Sequence, residues 1–380
     1  MTHDARRSVK AEHIYIHVPF CARRCVYCDF SIAVRPQVPV MEYVDAIATE
    51  FEARHAESEF DLATVYFGGG TPSKLGADGV GRVMDVVRRQ APIRDDAEVT
   101  LEANPEDVSR DSARAWQKAG INRVSLGVQS FNDSVLRWMH RTHDAEGARS
   151  AVQVLREVGL ANISIDLIFA TPSSVPRAWA NDVDEALSLA VPHLSVYGLT
   201  VEPHTPLGRW VARNDAAEAP EEVFEREFLS AHSALTSAGF EHYEVSNYGR
   251  PGQHSRHNWA YWKRRPYAGL GPSAHEFDGA TRRWNTEAYA RWVAQLSSKR
   301  ESICGSELLT SEQGLAEQTY LGLRTSEGLA IAPQEVTHVE PWIDAGWAIL
   351  RNGSTLRLTA SGWLRLDSLA GDLTRLRSRY

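Results

Sequence analysis

Six short apolar runs, at 14–18, 64–67, 98–102, 123–128, 163–169 and 194–199, alternate with stretches of helical spacing such as Tyr43, Val44, Ile47 and Phe51. Strand–helix alternation leaves few folds open. Each helix must carry the chain back to begin a parallel strand, and such crossovers are right-handed in nearly all cases. Three helices are expected to close on a glycine before an apolar residue, at Gly120-Ile121, Gly159-Leu160 and Gly239-Phe240. Glycine there tolerates the left-handed backbone that ends a helix. Six units are too few for a closed eight-fold barrel. The pattern predicts an α/β fold with an open, partial (β/α)6 barrel, whose chemistry gathers where strands end and loops begin.

The polar motifs obey that rule. A cysteine loop, Cys21-x3-Cys25-x2-Cys28, follows the first run. Gly68-Gly69-Gly70-Thr71-Pro72 follows the second, Glu102-Ala-Asn104-Pro105 ends the third, Gln129-Ser130-Phe131 ends the fourth, and Asp166 lies within the fifth. Three thiolates at this spacing can ligate three irons of a [4Fe-4S] cluster and leave the fourth iron open. Cys304 is far away and reads as an inert lone thiol. A structural zinc would want four ligands. His13 and His17, on one face of a strand, keep that alternative open. The glycine run lets backbone approach a ligand closely, although a plain tight turn would use it too. Carboxylates such as Glu102 and Asp166 can accept from hydroxyls or an ammonium, and an arginine can fork a carboxylate. Surface ion pairs or helix caps are the alternative.

A chain of 380 residues has room for one large domain and one or two small ones. The reading is a core domain over 1–240, an aromatic and basic accessory segment over 241–305, and a small winged-helix-like domain over 306–380. Within the last, Asn352-Gly353 between apolar runs signals a hairpin. The polar stretch 209–222 reads as a loop. A net charge of -8 gives no footprint for nucleic acid. No apolar run reaches membrane-spanning length. The polar start, Met1 to Lys10, is not expected to be a secretory signal. Three clustered thiols must stay reduced to bind iron, which argues for the cytoplasm.

The residues around the cysteines, Tyr15-Ile-His-Val-Pro-Phe-Cys21 and Cys25-Val-Tyr-Cys-Asp-Phe30, resemble the radical SAM superfamily. They look like its branch of oxygen-independent coproporphyrinogen III oxidases and haem chaperones. The resemblance implies a [4Fe-4S] cluster on Cys21, Cys25 and Cys28. It implies S-adenosylmethionine chelating the open iron, contacted by Tyr15, Gly69, Gly70, Thr71, Glu102, Gln129, Arg141 and Asp166, and an electron donor for the cluster. One departure is Ala170, where family members often carry glycine; a narrower loop is expected there. Another is Phe30, in the place of the oxidases' fourth cysteine, where it would fill space needed by a second molecule. A third is that only about a dozen residues precede the first strand, where the oxidases carry a longer segment. The last two departures point to the chaperone branch.

His257-Asn258-Trp259-Ala260-Tyr261-Trp262 matches that branch's HNxxYW pattern. His257 and Tyr261 could ligate haem iron, and Trp262 could cover the porphyrin; an aromatic packing patch is the alternative. His275, in Gly269-Leu-Gly271-Pro-Ser-Ala274-His275, is a second candidate ligand. That stretch mimics a dinucleotide motif but follows no clear strand, so no such site is expected. The sequence thus reads as a cytoplasmic protein that binds haem and passes it to an apoprotein. The competing readings are an active porphyrinogen oxidase and a protein with a purely structural cluster.

Overall fold

The computed structural model describes residues 11–172, 174–175 and 177–378; the polar start at 1–10 lies outside them. In chain order the first strands are β1 (Ala11–Val18), β2 (Phe20–Cys21), β3 (Ala33–Val34), β4 (Phe60–Gly69), β5 (Ile93–Ala103), β6 (Arg123–Gln129), β7 (Ile163–Phe169) and β8 (His193–Gly198). There follow β9 (Glu241–Glu244), β10 (Asn247–Gly249), β11 (Ala268–Leu270), β12 (His275–Phe277), β13 (Thr281–Asn285) and β14 (Ile303–Leu308). The last are β15 (Leu329–Ala330), β16 (Ala348–Arg351) and β17 (Thr355–Leu358). The six expected parallel strands are β1, β4, β5, β6, β7 and β8. Gly120, Gly159 and Gly239 all take the left-handed backbone expected at the helix ends. No helix among the described residues is long and apolar enough to cross a membrane.

The chain divides into two compact units, neither contiguous in sequence. The first comprises the described part of Met1–Val128, with Met139–Ile163 and Arg265–Leu308. Here β1, β4, β5 and β6 pair in parallel in that order. Ile14, Ile16, Val18, Phe67, Leu101 and Val124 are buried in it. Helices Val40–His55, Gly76–Gln90, Arg110–Lys118 and Ala145–Glu157 bury Ile47, Val83, Trp116 and Leu155 in turn. Each such side chain contributes roughly 1.5–3 kcal/mol when fully covered.

The 269–275 stretch departs from the reading. It holds a strand, β11, which pairs in parallel with β1 and sets Gly269 beside Tyr15. Its glycines therefore serve strand packing. The expected boundary at 240/241 does not coincide with the division either, because Arg265–Leu308 belongs with the first unit. A buried carboxylate explains this. Glu50, on the helix Val40–His55, accepts from Gly271 N at 2.7 Å, Asn285 Nδ2 at 2.7 Å, Trp292 Nε1 at 3.2 Å and Ser302 Oγ. Its helical neighbour Arg54 pairs with it at 3.1 Å and with Glu276. Burial works against the Arg54 charge, but Glu276 and Glu50 outweigh it and hold the pKa above its ordinary value.

The second unit comprises Gln129–Trp138, Ser164–Arg264 and Leu309–Tyr380. In it β7 and β8 pair in parallel, with β10 and then β9 added antiparallel. The helix Pro206–Ala212 extends into the stretch read as a loop; Thr205 caps it and Pro206 opens it. Towards the C-terminus come the helix Ser311–Arg324, β15, the helix Val336–Asp344, the hairpin β16–β17 and the helix Leu366–Arg377. The small sheet has the order β15-β17-β16. Asn352 and Gly353 sit at φ 51 and 68, and Ser354 N–H closes on Arg351 C=O at 3.2 Å. That is the mirror-image turn an Asn-Gly pair prefers.

Candidate functional site

The cysteine loop leaves β1 through Pro19. It is closed by the ladder of β2 and β3, which sets Phe20 beside Ala33 and Cys21 beside Val34. Phe20 anchors it, fully buried, with ring contacts to Tyr43 at 5.6 Å and Tyr289 at 5.0 Å. Cys28 N–H reaches back to Cys25 C=O at 3.4 Å, so the loop turns between the two thiols. Cys21 is buried and the other two are half-buried. Burial, with a smaller push from Cys28 and Cys25, raises the Cys21 thiol to about 11, against a 3.3 Å contact with Thr71 Oγ1. The three thiols thus act on one another. Among the described residues, however, no three His, Cys, Asp or Glu converge tightly enough to hold one metal ion. His13 instead bonds Thr64 at 2.9 Å, and His17 bonds Tyr15 and Ser31.

The glycine run packs directly on this loop. Gly69 has φ 110, and a Cβ there would lie 2.7 Å from the His17 ring; one on Gly70 would lie 2.8 Å from the Pro19 carbonyl. Gly70 N–H and Thr71 N–H donate to Val18 C=O and Phe20 C=O, each at 2.8 Å. Glu102 then fixes the run from the next strand, accepting from Gly69 N–H at 3.2 Å and Tyr66 Oη at 2.7 Å. Tyr66 stacks on Tyr15 with centroids 6.2 Å apart. Burial holds His17 down to about 4, so its ring is neutral. Its Nε2–H donates to Ser31 C=O at 3.2 Å, and Nδ1 accepts from Tyr15 Oη at 3.1 Å. Tyr66 was missed in the sequence reading, and His17 was read there only as a candidate zinc ligand. Their signal was the period-two alternation with Tyr15 and across from Glu102.

Arg141 stands beside the cysteine loop. Its Nη2 donates to Asn104 Oδ1 and Gly127 C=O, both at 2.7 Å, and its Nη1 lies 3.5 Å from Cys25 Sγ. It is a cation beside a cysteine of the loop, with its Nη2 engaged by two acceptors. Burial works against its charge, and Tyr27, Cys25 and Glu106 more than offset this. Phe30 departs from expectation: it is 58% exposed, so it fills no interior space. It lies in the loop between β2 and β3.

In the second unit, Gln129 ends β6 at φ 72, a left-handed conformation unusual for a residue with a side chain. The following turn is held by Asp182, which accepts from Ser130 Oγ at 2.8 Å and Phe131 N–H at 2.6 Å. Asp166 lies half-buried in β7. Ala170 takes φ 56, keeping the backbone a glycine would adopt, and its N–H donates to Glu227 at 2.7 Å. Ala170 therefore carries backbone strain that a glycine would not. On the short helix Arg256–Trp262, His257 is fully buried and shares a 2.9 Å hydrogen bond with Tyr261 Oη. Trp262 lies under the Arg324 guanidinium at 4.3 Å. Iron ligation by His257 Nε2 or Tyr261 would require their bond to open.

The family model of the Radical SAM superfamily matches residues 15–184, which span the cysteine loop, the glycine run and Glu102. Strands, cysteine loop and match together define a radical SAM protein. The heme chaperone HemW of Bacillus subtilis is 34% identical over 83% of this chain and 84% of its own length. That of Mycobacterium tuberculosis (strain H37Rv) is 34% identical over 95% and 94%, and that of Escherichia coli K12 is 37% identical over 69% of each. The chain belongs to the HemW family of the radical SAM superfamily. The structure of coproporphyrinogen III oxidase (HemN) from Escherichia coli matches with a TM-score of 0.83 over 97% of this chain and 91% of that one. At 22% identity that likeness speaks for the fold alone.

Proposed function

We propose that this protein is a haem chaperone of the radical SAM type, which binds haem and passes it to an acceptor apoprotein. Cys21, Cys25 and Cys28 would hold three irons of a [4Fe-4S] cluster. Tyr15, Gly69, Gly70, Thr71, Glu102, Gln129 and Asp166 would contact S-adenosylmethionine. When bound, cluster and cofactor supply one-electron chemistry. The chain's own residues bind and orient. Glu102 holds the Gly69 amide in place, and Gly70, lacking a Cβ, lets the run pack against the Pro19 and Phe20 carbonyls of the cysteine loop. Arg141 would offset the charge of the Cys25 thiolate across 3.5 Å, and Asn104 aims it there. An electron donor would be required, and thiols that must stay reduced to bind iron favour the cytoplasm. The His257–Trp262 segment would reach haem only in an opened state.

The observation that carries this reading is the cysteine loop itself, three thiols with exposed Phe30 where the oxidases have a fourth. The test is anaerobic reconstitution, then haem titration and a coproporphyrinogen assay on the same sample. The expected result is about four irons per chain, haem binding, and no porphyrinogen oxidation. Cys25→Ala should lose the cluster's visible absorption. Full iron content in that variant would remove the ligand assignment.

A further inference from the structure

We propose that Arg177, with Asp182 and Glu227, is a positioning clamp that fixes the exits of β6 and β7 and so aims Gln129 and Asp166 at S-adenosylmethionine. The inference rests on the cofactor-binding reading above and adds to it three residues that act through their neighbours. All three belong to the second unit. Two strand exits there hold a left-handed backbone at a residue with a side chain, φ 72 at Gln129 and φ 56 at Ala170. Such a conformation costs free energy wherever a Cβ is present, and it persists only where its surroundings over-determine it.

Those surroundings meet at one guanidinium. Arg177 Nη1 donates to Ile168 C=O at 3.1 Å and to Asp182 Oδ2 at 3.4 Å, and its Nη2 donates to Glu227 Oε2 at 2.6 Å. Each carboxylate then holds one exit. Asp182 accepts from Ser130 Oγ at 2.8 Å and from Phe131 N–H at 2.6 Å, directly after Gln129. Glu227 accepts from Ala170 N–H at 2.7 Å. The backbone is thus tied on both sides of Phe169, at Ile168 C=O and at Ala170 N–H. Asp166 lies two residues before Ile168 in β7, on the same face of the strand.

The two carboxylates come from separate helices, Asp182 from Trp179–Ser188 and Glu227 from Glu221–Ser237. Trp179 Nε1 donates to Glu227 C=O at 2.9 Å, and its ring lies 5.0 Å from the Arg177 guanidinium, so the clamp is braced from behind. The side chains of Arg177 and Asp182 are only 4% and 3% exposed. Burying ions this deeply is a poor route to stability, since apolar residues of similar volume do as well or better. What a guanidinium between two carboxylates does supply is direction, because its N–H groups are fixed in one plane. Direction is what a binding constellation on two strand exits requires.

The experiment titrates S-adenosylmethionine into the anaerobically reconstituted, reduced full chain and follows the cluster's EPR spectrum. Wild type should respond. Arg177→Lys keeps the buried charge, which spares the fold, but a single ammonium cannot serve Ile168, Asp182 and Glu227 at once. It should bind S-adenosylmethionine roughly tenfold or more weakly, with iron content and cluster absorption unchanged. Leu235→Ala opens a cavity under the same helix that carries Glu227 and lowers stability by another route. It should bind as wild type does. Wild-type affinity in Arg177→Lys would overturn the clamp. An equal loss of affinity in Leu235→Ala would overturn it too, by reducing the effect to one of stability. A wild type whose spectrum ignored S-adenosylmethionine would instead bring down the cofactor reading itself.

Discussion

Ala170 and Glu106 show what single side chains contribute here. Ala170 holds a left-handed backbone while buried. Replacing it with glycine relieves roughly 1–2 kcal/mol of strain, but gives up a buried methyl and adds unfolded-chain entropy. Ala170→Gly should therefore move unfolding stability by less than about 1 kcal/mol. Ala170→Val should cost more than about 2 kcal/mol, because a β-branched residue is ill-suited to positive φ. Urea unfolding decides; a valine variant as stable as wild type would remove the strain argument. Glu106 acts through its charge. Burial pushes its pKa up, but His143 Nδ1 at 3.2 Å and Thr142 outweigh it and hold the carboxyl down to about 2. Its stabilisation is present above the ordinary value of 4.5 and is lost as pH falls from there through about 2. Against Glu106→Gln, wild type should be more stable near pH 6, by at most roughly 3 kcal/mol, with the gap closing towards pH 2. A gap independent of pH would show that packing, and not charge, sets the difference.

Between elements the largest single tie is Glu50. Removing it leaves Arg54 without one of its carboxylates and strips the acceptor from Gly271, Asn285, Trp292 and Ser302. Breaking a buried pair this way costs about 3–5 kcal/mol. Glu50→Ala should fall by that much in chemical denaturation and speed amide exchange along β11. Unchanged exchange at Leu270 and Gly271 would mean that strand pairing alone holds β11. This tie was invisible in the sequence, where Glu50 is one more polar residue beside Ile47 and Phe51 on an amphipathic helix. Its partners come from more than two hundred residues away. β11 was hidden for a related reason: Ala-Gly-Leu has no β-branched or aromatic side chain, and its strand character comes from β1 next to it. The six main strands were legible because periodicity is local. The cysteine loop and glycine run were legible because a motif repeats its spacing in the chain. Arg141 was found, but its partners Asn104 and Cys25 were not, since no spacing encodes which loop a guanidinium reaches.

At the scale of the whole molecule the sharpest expectation is a negative one. With cluster, S-adenosylmethionine and a reductant present, the protein should not convert coproporphyrinogen III to protoporphyrinogen IX. Phe30→Cys should not restore the reaction, since Phe30 projects into solvent and its replacement reshapes no cavity. Multiple turnovers by wild type would install the oxidase reading instead. The discontinuity of the first unit has a further consequence during synthesis. Its cysteine loop is made long before the strand and the Glu50 partners that complete the unit, which end only at Leu308. At ~5–20 residues per second, a ribosome needs roughly 15–60 s to cover that distance. Through that interval the nascent chain carries three thiols on a loop beyond a strand whose flank is bare, exposed to oxidants and to stray strand pairing. Iron–sulfur loading of this protein therefore belongs after translation, and a cell short of chaperones or under oxidative stress would lose the protein at that step before it lost any finished molecule.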